Sequence, residues 1–421
     1  MEVKARETCR VCGLNKLTPI LSLGEQFVSN FVDDPNEDYF KGPLELVLCN
    51  VKDGGCGLLQ LKHTLERDIL YTKYWYQSGI SKTMVKALSD IASCGEKLVK
   101  LRPGDLVIDI GANDGTLLRQ YRTPELLTIG FEPSDLWKMA SKGTSKIIND
   151  YFNYSAFQKE FGVKKAKLIT SISMFYDLED PNTFVEDIAK CLDTNGVWII
   201  QMNYLGLMLK NNTFDNICHE HLEYYSLLSL SNLLKRHNLE AFDVELNDVN
   251  GGSFRVYVKH EGNLIESFPG NTDRLRRQGK YEEKMGFNDH SLYDKFATRI
   301  EKTKIEVTSF LNQEFKKGKK IFIYGASTRG LVVLQYFGID KRLIKAATDM
   351  NPSKWGKYIV GTGIPIMSIE EYRKEKPDYL FVLPYHFIEE IKDQERAFLI
   401  SGGKMIVAIP DFKIISREEI S

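Results

Sequence analysis

Short apolar runs alternate with longer amphipathic stretches through the middle of the chain. Apolar runs bounded by turn residues predict buried strands, and amphipathic stretches with helical periodicity predict helices. The strands expected here begin at residue 106, occupy 127–132, end near 147–150, and occupy 166–172 and 196–201. This alternation predicts a mostly parallel, doubly wound α/β sheet, in which ligands bind at the carboxyl ends of the strands.

The pattern continues on both sides of this region. Helix is expected over 65–99 with an aromatic interruption at 71–81, then over 226–238 and about 292–317, and residues 240–245 and 254–259 form a predicted hairpin. A second strand, turn and helix is predicted at 320–333, followed by strands at 346–351, 379–384 and 405–410. We therefore expect domains at 1–65, 66–300 and 301–421, the last a small α/β domain.

The turn after residue 110 has the composition of a nucleoside site. Gly111 and Gly115 let a ligand approach the backbone, and Glu132 closes the next strand where its carboxylate could accept both ribose hydroxyls. Because Asp109 and Asp114 would repel a pyrophosphate, S-adenosylmethionine fits better than a dinucleotide. A purely structural turn is the alternative. The expected cofactor contacts are Asp109, Gly111, Asn113, Asp114, Gly115, Glu132, Asn149, Asp150 and Ser173.

Four of the seven cysteines fall in two pairs near the start of the chain. Cys9 and Cys12 form a C-x2-C knuckle, whereas Cys49 and Cys56 are separated by six residues that include two glycines. Four thiolates match a tetrahedral Zn²⁺ site with no open position, so the expected zinc is structural. Ordinary buried or free thiols are the alternative.

Two histidines flank Glu220. His219 and His221 lack the i,i+4 spacing of zinc-protease helices, and would point the same way on an extended segment. A histidine general base oriented by Glu220 is one hypothesis, and hydrogen-bonded structural histidines are the other.

The second strand-turn-helix carries Ser327, Thr328 and Arg329 without a carboxylate, which suits phosphate.

Composition narrows the classes of function. A chain of 421 residues with a formal net charge of −1 and no polybasic run argues against a dedicated nucleic-acid or membrane-surface protein. No apolar run approaches the roughly 18 residues of a membrane span, and the first residues lack the apolar core of a signal peptide. We expect a cytoplasmic protein, compatible with a monomer.

Several motifs occur together and in order: Cys9-x-x-Cys12 with 23–26, then 56–61, 76–81, 110–115, His219-Glu-His221 with 225–226, then 251–253, and 324–326 with Asp349. By these motifs the chain resembles, over nearly its whole length, the nucleotide-sugar C-methyltransferases, which methylate carbon 3 of 4-keto-deoxysugar nucleotides. The resemblance implies a zinc-binding N-terminal domain, a central Rossmann-like domain for S-adenosylmethionine, and a C-terminal Rossmann-like domain that helps hold the nucleotide diphosphate.

The resemblance also implies roles for individual residues. His221 becomes the base that removes the proton next to the ketone, with Glu220 and Tyr76 as its neighbours in the substrate pocket. The expected substrate contacts are Tyr76, Ser78, Tyr204, Tyr225, Tyr324, Ser327, Thr328, Arg329 and Asp349.

Three departures from the family pattern bear on the substrate and the metal. Cys218 stands where a tyrosine is common, 201–204 lacks the usual acidic residue and proline, and the second cysteine pair is widely spaced. Two alternatives stay open: an O- or N-methyltransferase acting on a related nucleotide sugar or phosphorylated glycan intermediate, and a non-catalytic nucleotide-sugar-binding protein.

Overall fold

The computed structural model describes residues 3–71, 74–265 and 273–419. The chain separates into two compact units: one comprises 1–19, 47–206 and 220–289, and the other 20–46, 207–219 and 290–421. The domain boundaries predicted at residues 65 and 300 stay predictions. In the part of the chain that is described, no helix is long and apolar enough to cross a membrane.

In chain order the described strands are β1 (Lys4–Ala5), β2 (Thr18–Phe27), β3 (Phe31–Val32), β4 (Lys41–Leu48), β5 (Leu59–Leu61), β6 (His63–Thr64), β7 (Leu106–Ile110), β8 (Leu127–Phe131), β9 (Lys146–Ile148), β10 (Ala166–Ile172), β11 (Leu192–Asn203), β12 (Glu223–Tyr224), β13 (Leu239–Asn247), β14 (Ser253–His260), β15 (Ile321–Tyr324), β16 (Ala346–Thr348), β17 (Tyr358–Ile359), β18 (Ile364–Met367), β19 (Tyr379–Val382), β20 (Lys404–Val407) and β21 (Lys413–Ile415). The helices are α1 (Arg67–Tyr71), α2 (Lys82–Val99), α3 (Trp137–Ala140), α4 (Tyr154–Phe161), α5 (Pro181–Cys191), α6 (Leu205–Lys210), α7 (Leu227–Lys235), α8 (Arg274–Met285), α9 (His290–Lys316), α10 (Thr328–Phe337), α11 (Ile369–Glu375), α12 (Ile388–Gln394) and α13 (Arg396–Ile400).

The first unit is built on a sheet of order β13-β14-β11-β10-β7-β8-β9. Strands β11, β10, β7, β8 and β9 run parallel, which confirms the predicted βαβ arrangement. The predicted hairpin is also confirmed, since β13 pairs antiparallel with β14, and β14 pairs antiparallel with β11. The carboxyl ends of β7, β8 and β10 therefore share one edge, where the sequence places its candidate cofactor residues.

Helix α2 shows how the layers pack. Its buried residues Met84, Leu88, Ile91, Ala92, Gly95 and Val99 recur every three to four positions and form one apolar face. A Cβ at Gly95 would lie 2.5 Å from a methyl carbon of Leu168 on β10, so glycine permits a close approach of helix and sheet.

Sequence periodicity was wrong or silent at two places in this unit. The helix expected after the glycine turn is only a 3₁₀ turn over Leu118–Gln120. Helix α8 was not predicted, because most of its residues are charged and the side chains that it buries, Gln278 and Glu282, are polar.

The second unit has a sheet of order β21-β20-β19-β15-β16-β18-β17-β3. Strands β20, β19, β15, β16 and β18 are parallel, whereas β21, β17 and β3 pair antiparallel at the two ends. Helix α10 follows β15 as predicted, and the charged stretch forms α9. The C-terminal region is thus α/β, with a strand from the N-terminal region added at one end.

Candidate active site

The turn after β7 has the open backbone expected of a nucleoside site. The N–H groups of Gly111 and Ala112 both donate to the Phe131 carbonyl at the end of β8, at 2.9 and 3.0 Å. Gly115 has φ +78°, and a Cβ there would lie 2.8 Å from the backbone of Ala140, so a side chain is excluded. Asn113 also has positive φ, +53°. The turn therefore presents backbone rather than side chains at the edge of the sheet.

Glu132 is the carboxylate beside this turn. Its Oε2 accepts a hydrogen bond from the Asn113 N–H at 2.7 Å, and its Oε1 accepts one from the Ser134 N–H at 2.9 Å. Burial raises its pKa, while these donors oppose the shift. The side-chain amide of Asn149 donates to the Glu132 carbonyl at 2.8 Å. Each carboxylate oxygen keeps lone pairs beyond the bond it accepts, as a ribose contact requires.

The two aspartates of the turn differ in role. Asp114 lies against the aromatic segment, accepting from the Gly79 N–H at 2.7 Å and from the Thr116 hydroxyl at 2.6 Å. Asp109 is buried inside the sheet and accepts from the Thr170 hydroxyl at 2.6 Å. Burial raises the pKa of Asp109 to about 7. Asp109 is thus bonded to the neighbouring strand β10, and its expected contact with the cofactor stays a prediction.

The remaining cofactor candidates lie at strand ends. Ser173 follows β10 with φ +55°, and its Oγ accepts from the side-chain amide of Asn250 at 3.0 Å. Asp150 is exposed, and its Oδ1 accepts from the Tyr151 N–H at 2.8 Å.

Hydrogen bonds connect the aromatic segment 74–81 to the turn after β7. The side chain of Asn113 accepts from the Ser78 N–H and donates to the Tyr76 carbonyl, both at 2.9 Å. Together with the Asp114 to Gly79 contact, these bonds hold Tyr76 beside the turn. Tyr76 as a whole is 37% exposed.

The two histidines around Glu220 have separate environments. His219 belongs to the second unit, where its Nε2 lies 3.0 Å from the Gly42 carbonyl and burial lowers its pKa to about 4. It is therefore a structural histidine. His221 belongs to the first unit, and its ring centroid lies 4.2 Å from that of Tyr176, in the turn after β10.

Hydrogen bonds to the main chain fix the position of the segment around His221. The Leu222 N–H donates to the Tyr176 carbonyl at 2.8 Å, and the Tyr71 hydroxyl donates to the Glu220 carbonyl at 3.1 Å. Strand β12 then pairs antiparallel with β5. Three neighbours of this segment, Tyr74, Tyr176 and Asp177, are not among the expected site residues, although they lie in the aromatic segment and at a strand end. A carboxyl one short turn beyond a strand end was the available signal for Asp177.

Two tyrosines expected to contact substrate are core residues instead. The Tyr204 hydroxyl donates to Glu282 at 2.9 Å and accepts from Gln278 at 2.6 Å, and its ring is fully buried. The Tyr225 ring is equally buried and packs 5.3 Å from that of Phe175. Aromatic spacing alone does not distinguish a pocket wall from a core, and burial of both residues does not favour their expected contact with substrate, which stays a prediction.

Side chains distant in sequence bond to the second turn, which follows β15. Arg329 forms an ion pair of 2.7 Å with the buried Asp215, and the Tyr385 hydroxyl lies within hydrogen-bond distance of both. A carboxylate from outside the turn thus accompanies the guanidinium. A phosphate at this turn would compete with Asp215 for Arg329, and the expected substrate contact of Arg329 stays a prediction.

The other candidates near this turn also have protein partners. Ser327 caps α10 by accepting from the Gly330 N–H at 3.1 Å, and the Thr328 carbonyl accepts from Ser29 at 3.0 Å. Asp349 pairs with Lys354 at 3.0 Å, and the buried Tyr324 donates to Gln394 at 2.9 Å.

The four cysteines of the N-terminal region converge. Their sulfur atoms all lie within 4.8 Å of one another, with Sγ separations of 3.5 Å for Cys9 and Cys56 and 3.4 Å for Cys12 and Cys49. Tetrahedral Zn²⁺ with bonds of about 2.3 Å requires sulfurs roughly 3.8 Å apart, so the residues fit the metal. A 3₁₀ turn over Val51–Asp53 closes the long C-x6-C spacing.

Comparisons with known proteins agree with this geometry. Family models match at residues 9–71 (a zinc binding domain), 83–244 (a methyltransferase domain) and 248–410 (the C-terminal domain of C-methyltransferases). The C-methyltransferase NovU of Streptomyces niveus is 30% identical over 424 residues, which cover 99% of this chain and 98% of NovU.

Two solved methyltransferase structures are similar to part of this chain. A mitomycin 7-O-methyltransferase is 14% identical over 43% of this chain and 55% of that one, with TM-score 0.34. An S-adenosylmethionine-dependent methyltransferase from Clostridium acetobutylicum is 16% identical over 42% of this chain and 92% of that one, also with TM-score 0.34. From its full-length similarity to NovU and its three matching domains, the chain belongs to the C-methyltransferase family, as an S-adenosylmethionine-dependent enzyme with a zinc-binding N-terminal domain.

Proposed function

We propose that this enzyme methylates carbon 3 of a nucleotide-linked 4-keto-deoxysugar, with His221 as the base. The observation that carries the proposal is the contact between the His221 and Tyr176 rings. Tyr176 follows β10, which neighbours the strand whose turn carries the cofactor residues. A titratable imidazole at this edge has the position that a base needs beside a methyl donor.

The chemistry requires few groups. The imidazole of His221 takes the proton from the carbon next to the ketone, and the resulting enolate carbon forms a bond to the methyl group as the methyl–sulfur bond breaks. S-adenosylmethionine supplies the methyl group, and the electron pair on the enolate oxygen returns to the carbonyl. Zn²⁺ has no step here, because four thiolates fill its coordination shell.

Tyr76 and Ser78 support a polar substrate beside the cofactor. Their segment is hydrogen-bonded to the glycine turn through Asn113, so a bound sugar that contacts it is held near the methyl donor. Such positioning lowers the entropic part of the barrier.

Solvent exchange tests the proposal. The enzyme is incubated in D₂O with S-adenosylhomocysteine and a thymidine-diphosphate-linked 4-keto-6-deoxyglucose, and with its 4-hydroxy counterpart. We expect deuterium at the carbon next to the ketone, and methylation of that carbon when S-adenosylmethionine is added. The His221→Asn variant should lose both reactions while retaining affinity for S-adenosylhomocysteine, and His290→Asn on the surface serves as the matched control.

The same experiment separates the alternatives. An O- or N-methyltransferase would methylate the 4-hydroxy compound or an amino sugar without exchanging the carbon-bound proton. A non-catalytic protein would bind the nucleotide sugar and neither exchange nor methylate it.

A further inference from the structure

Asp177 is a half-buried residue with one fully buried carboxyl oxygen, and the reaction described so far does not use it. It ends the 3₁₀ turn Phe175–Asp177, which directly follows the carboxyl end of β10. Its Oδ1 is buried and has no hydrogen-bond partner among the described residues. Buried polar atoms are nearly always paired, and those that are not often belong to functional sites.

The neighbourhood of Asp177 includes the proposed base. The preceding residue, Tyr176, packs its ring against His221 and accepts the Leu222 N–H. The carboxyls of Glu220 and Glu223, in the segment around His221, are close enough to raise the pKa of Asp177. Tyr74, in the aromatic segment, is near the same groups: burial raises the pKa of its phenol, and Asp177 and Glu220 raise it further.

These neighbours favour a protonated Asp177. Burial raises its pKa well above the usual range, and the charges of Glu220 and Glu223 raise it further. Burial also raises the pKa of Glu223, with Arg10 opposing that shift.

A structural carboxyl in this fold is bonded differently. Asp180, three residues later, caps α5, with Oδ1 accepting from the Thr183 N–H at 3.1 Å and Oδ2 accepting from the Thr183 hydroxyl at 2.7 Å. Asp177 caps no helix, and its inner oxygen accepts none of the backbone N–H groups described. Unlike the carboxyl of Asp180, the inner oxygen of Asp177 therefore has no structural partner among the described residues.

We propose that Asp177 is a catalytic acid whose carboxyl proton is hydrogen-bonded to the substrate oxygen that becomes negative when His221 removes the carbon-bound proton. This inference rests on the proposed function. The proton removed from carbon resides on the His221 imidazole, while Asp177 keeps its own proton and shares it with the enolate oxygen. When the new carbon–carbon bond forms, that oxygen becomes a carbonyl again and Asp177 is unchanged, so atoms and charges balance.

The proposal narrows the class of substrate. A carboxylic acid donates to a carbonyl and stabilises it most as the oxygen gains charge, which is the requirement of an enolate-forming reaction. An alcohol or amine reacts through its own oxygen or nitrogen, and a proton donated to that atom would lower its nucleophilicity, whereas an enolate reacts at carbon and benefits from a donor on its oxygen. Asp177 therefore selects ketones.

The first test measures protonation without turnover. Infrared difference spectra of wild type against Asp177→Asn, both with S-adenosylhomocysteine bound at neutral pH, should show the carbonyl stretch of a protonated acid lost in the variant. The matched control Asp180→Asn should lose only carboxylate bands, since Asn also caps a helix well. Loss of carboxylate bands alone in Asp177→Asn would overturn the proposal.

The second test uses the D₂O exchange assay with the 4-keto compound. We expect Asp177→Ala to lower exchange and methyl transfer together by roughly 10²–10³-fold, the usual effect of one lost donor to an oxyanion. Asp177→Asn should retain part of the activity and lose the alkaline limb of the pH profile, because its amide cannot deprotonate. Binding of S-adenosylhomocysteine should be unchanged in both and reports that each variant is folded.

The outcomes separate the two proposals. Normal exchange in both Asp177 variants would overturn the role of Asp177 and leave the proposed function intact. Absence of exchange in the wild type would overturn the proposed function itself, and the role of Asp177 with it.

Discussion

The ring of Tyr176 lies against the imidazole of His221, with centroids 4.2 Å apart and planes inclined by 58°. The contact joins the turn after β10 to the segment before β12, and the Leu222 N–H bonded to the Tyr176 carbonyl reinforces it. A flat aromatic neighbour restricts the rotamers of the imidazole without adding a charge beside it. Tyr176 therefore acts as a positioning residue for the proposed base.

Tyr176→Ala should lower kcat by up to roughly tenfold, because aromatic pairs of this kind contribute about 0.5 to 1.5 kcal/mol beyond burial. Tyr176→Phe keeps the ring and should retain most of the activity. Affinity for S-adenosylhomocysteine, measured by calorimetry, should be the same in both variants. Equal kcat for the Ala and Phe variants would show that ring contact does not position His221.

Glu132 is expected to hold the cofactor ribose, and its contacts make the test sharp. Glu132→Gln replaces one accepting oxygen by an NH₂ group, which must then face the N–H of Asn113 or Ser134. Hydrogen bonds to charged groups contribute about 1.5 to 3 kcal/mol, so affinity for S-adenosylhomocysteine should fall roughly 10- to 100-fold. Glu160→Gln, which removes an exposed carboxylate, is the control for calorimetric titration. Unchanged affinity in Glu132→Gln would remove Glu132 from the cofactor site.

The buried ion pair of the second unit should be costly to break. Arg329→Met leaves Asp215 buried with the Tyr385 hydroxyl, and losing one partner of such a pair typically costs about 3 to 5 kcal/mol. Arg342→Met removes an exposed partner of Asp340 and should leave stability nearly unchanged, because solvent screens exposed ion pairs. Urea titration followed by circular dichroism compares the two. Similar midpoints would indicate that Arg329 is free to serve a ligand.

The parallel sheets were predictable because their strands are continuous apolar runs ending in glycine or acidic residues, as in β7 and the turn from Gly111 to Gly115. The cysteine cluster was predictable from spacing, although the C-x6-C pair needed the 3₁₀ turn over Val51–Asp53 to close.

Side-chain partners distant in sequence were not predictable. Arg329 meets Asp215 across more than a hundred residues, and no local pattern at 325–330 indicates that carboxylate. Tyr204 belongs to the core because α8 supplies Gln278 and Glu282 to its hydroxyl, and α8 lacks the apolar periodicity that predicts helices. His219 and His221 are two residues apart, but the partner of each is distant in sequence: the Gly42 carbonyl for His219 and the Tyr176 ring for His221.

His219 should make stability depend on pH. Its pKa is about 4 in the folded protein because of burial, against 6.5 for the ordinary side chain, so the unfolded chain binds a proton between these values and the folded protein does not. Stability contributed by this site is present above pH 6.5 and is lost as pH falls towards 4, by about 3 kcal/mol in all. His219→Gln preserves a donor to the Gly42 carbonyl and does not titrate. From pH 7 to pH 5 the urea midpoint of the wild type should therefore fall relative to that of the variant. A constant difference between the two midpoints would contradict the lowered pKa of His219.

The zinc centre gives a prediction that depends on one glycine. A Cβ at Gly55 would lie 2.6 Å from the Cys49 sulfur and 2.7 Å from the carbonyl oxygens of Cys49 and Asn50, so the loop cannot hold its shape around a larger residue. Gly55→Ala should lower zinc content after dialysis against a chelator and reduce the thermal midpoint, because metal binding contributes to folding. Gly279→Ala in α8, where a Cβ meets nothing within 4 Å, should keep its zinc and be neutral or slightly more stable. Equal zinc retention in the two variants would mean that the loop between Cys49 and Cys56 does not shape the site.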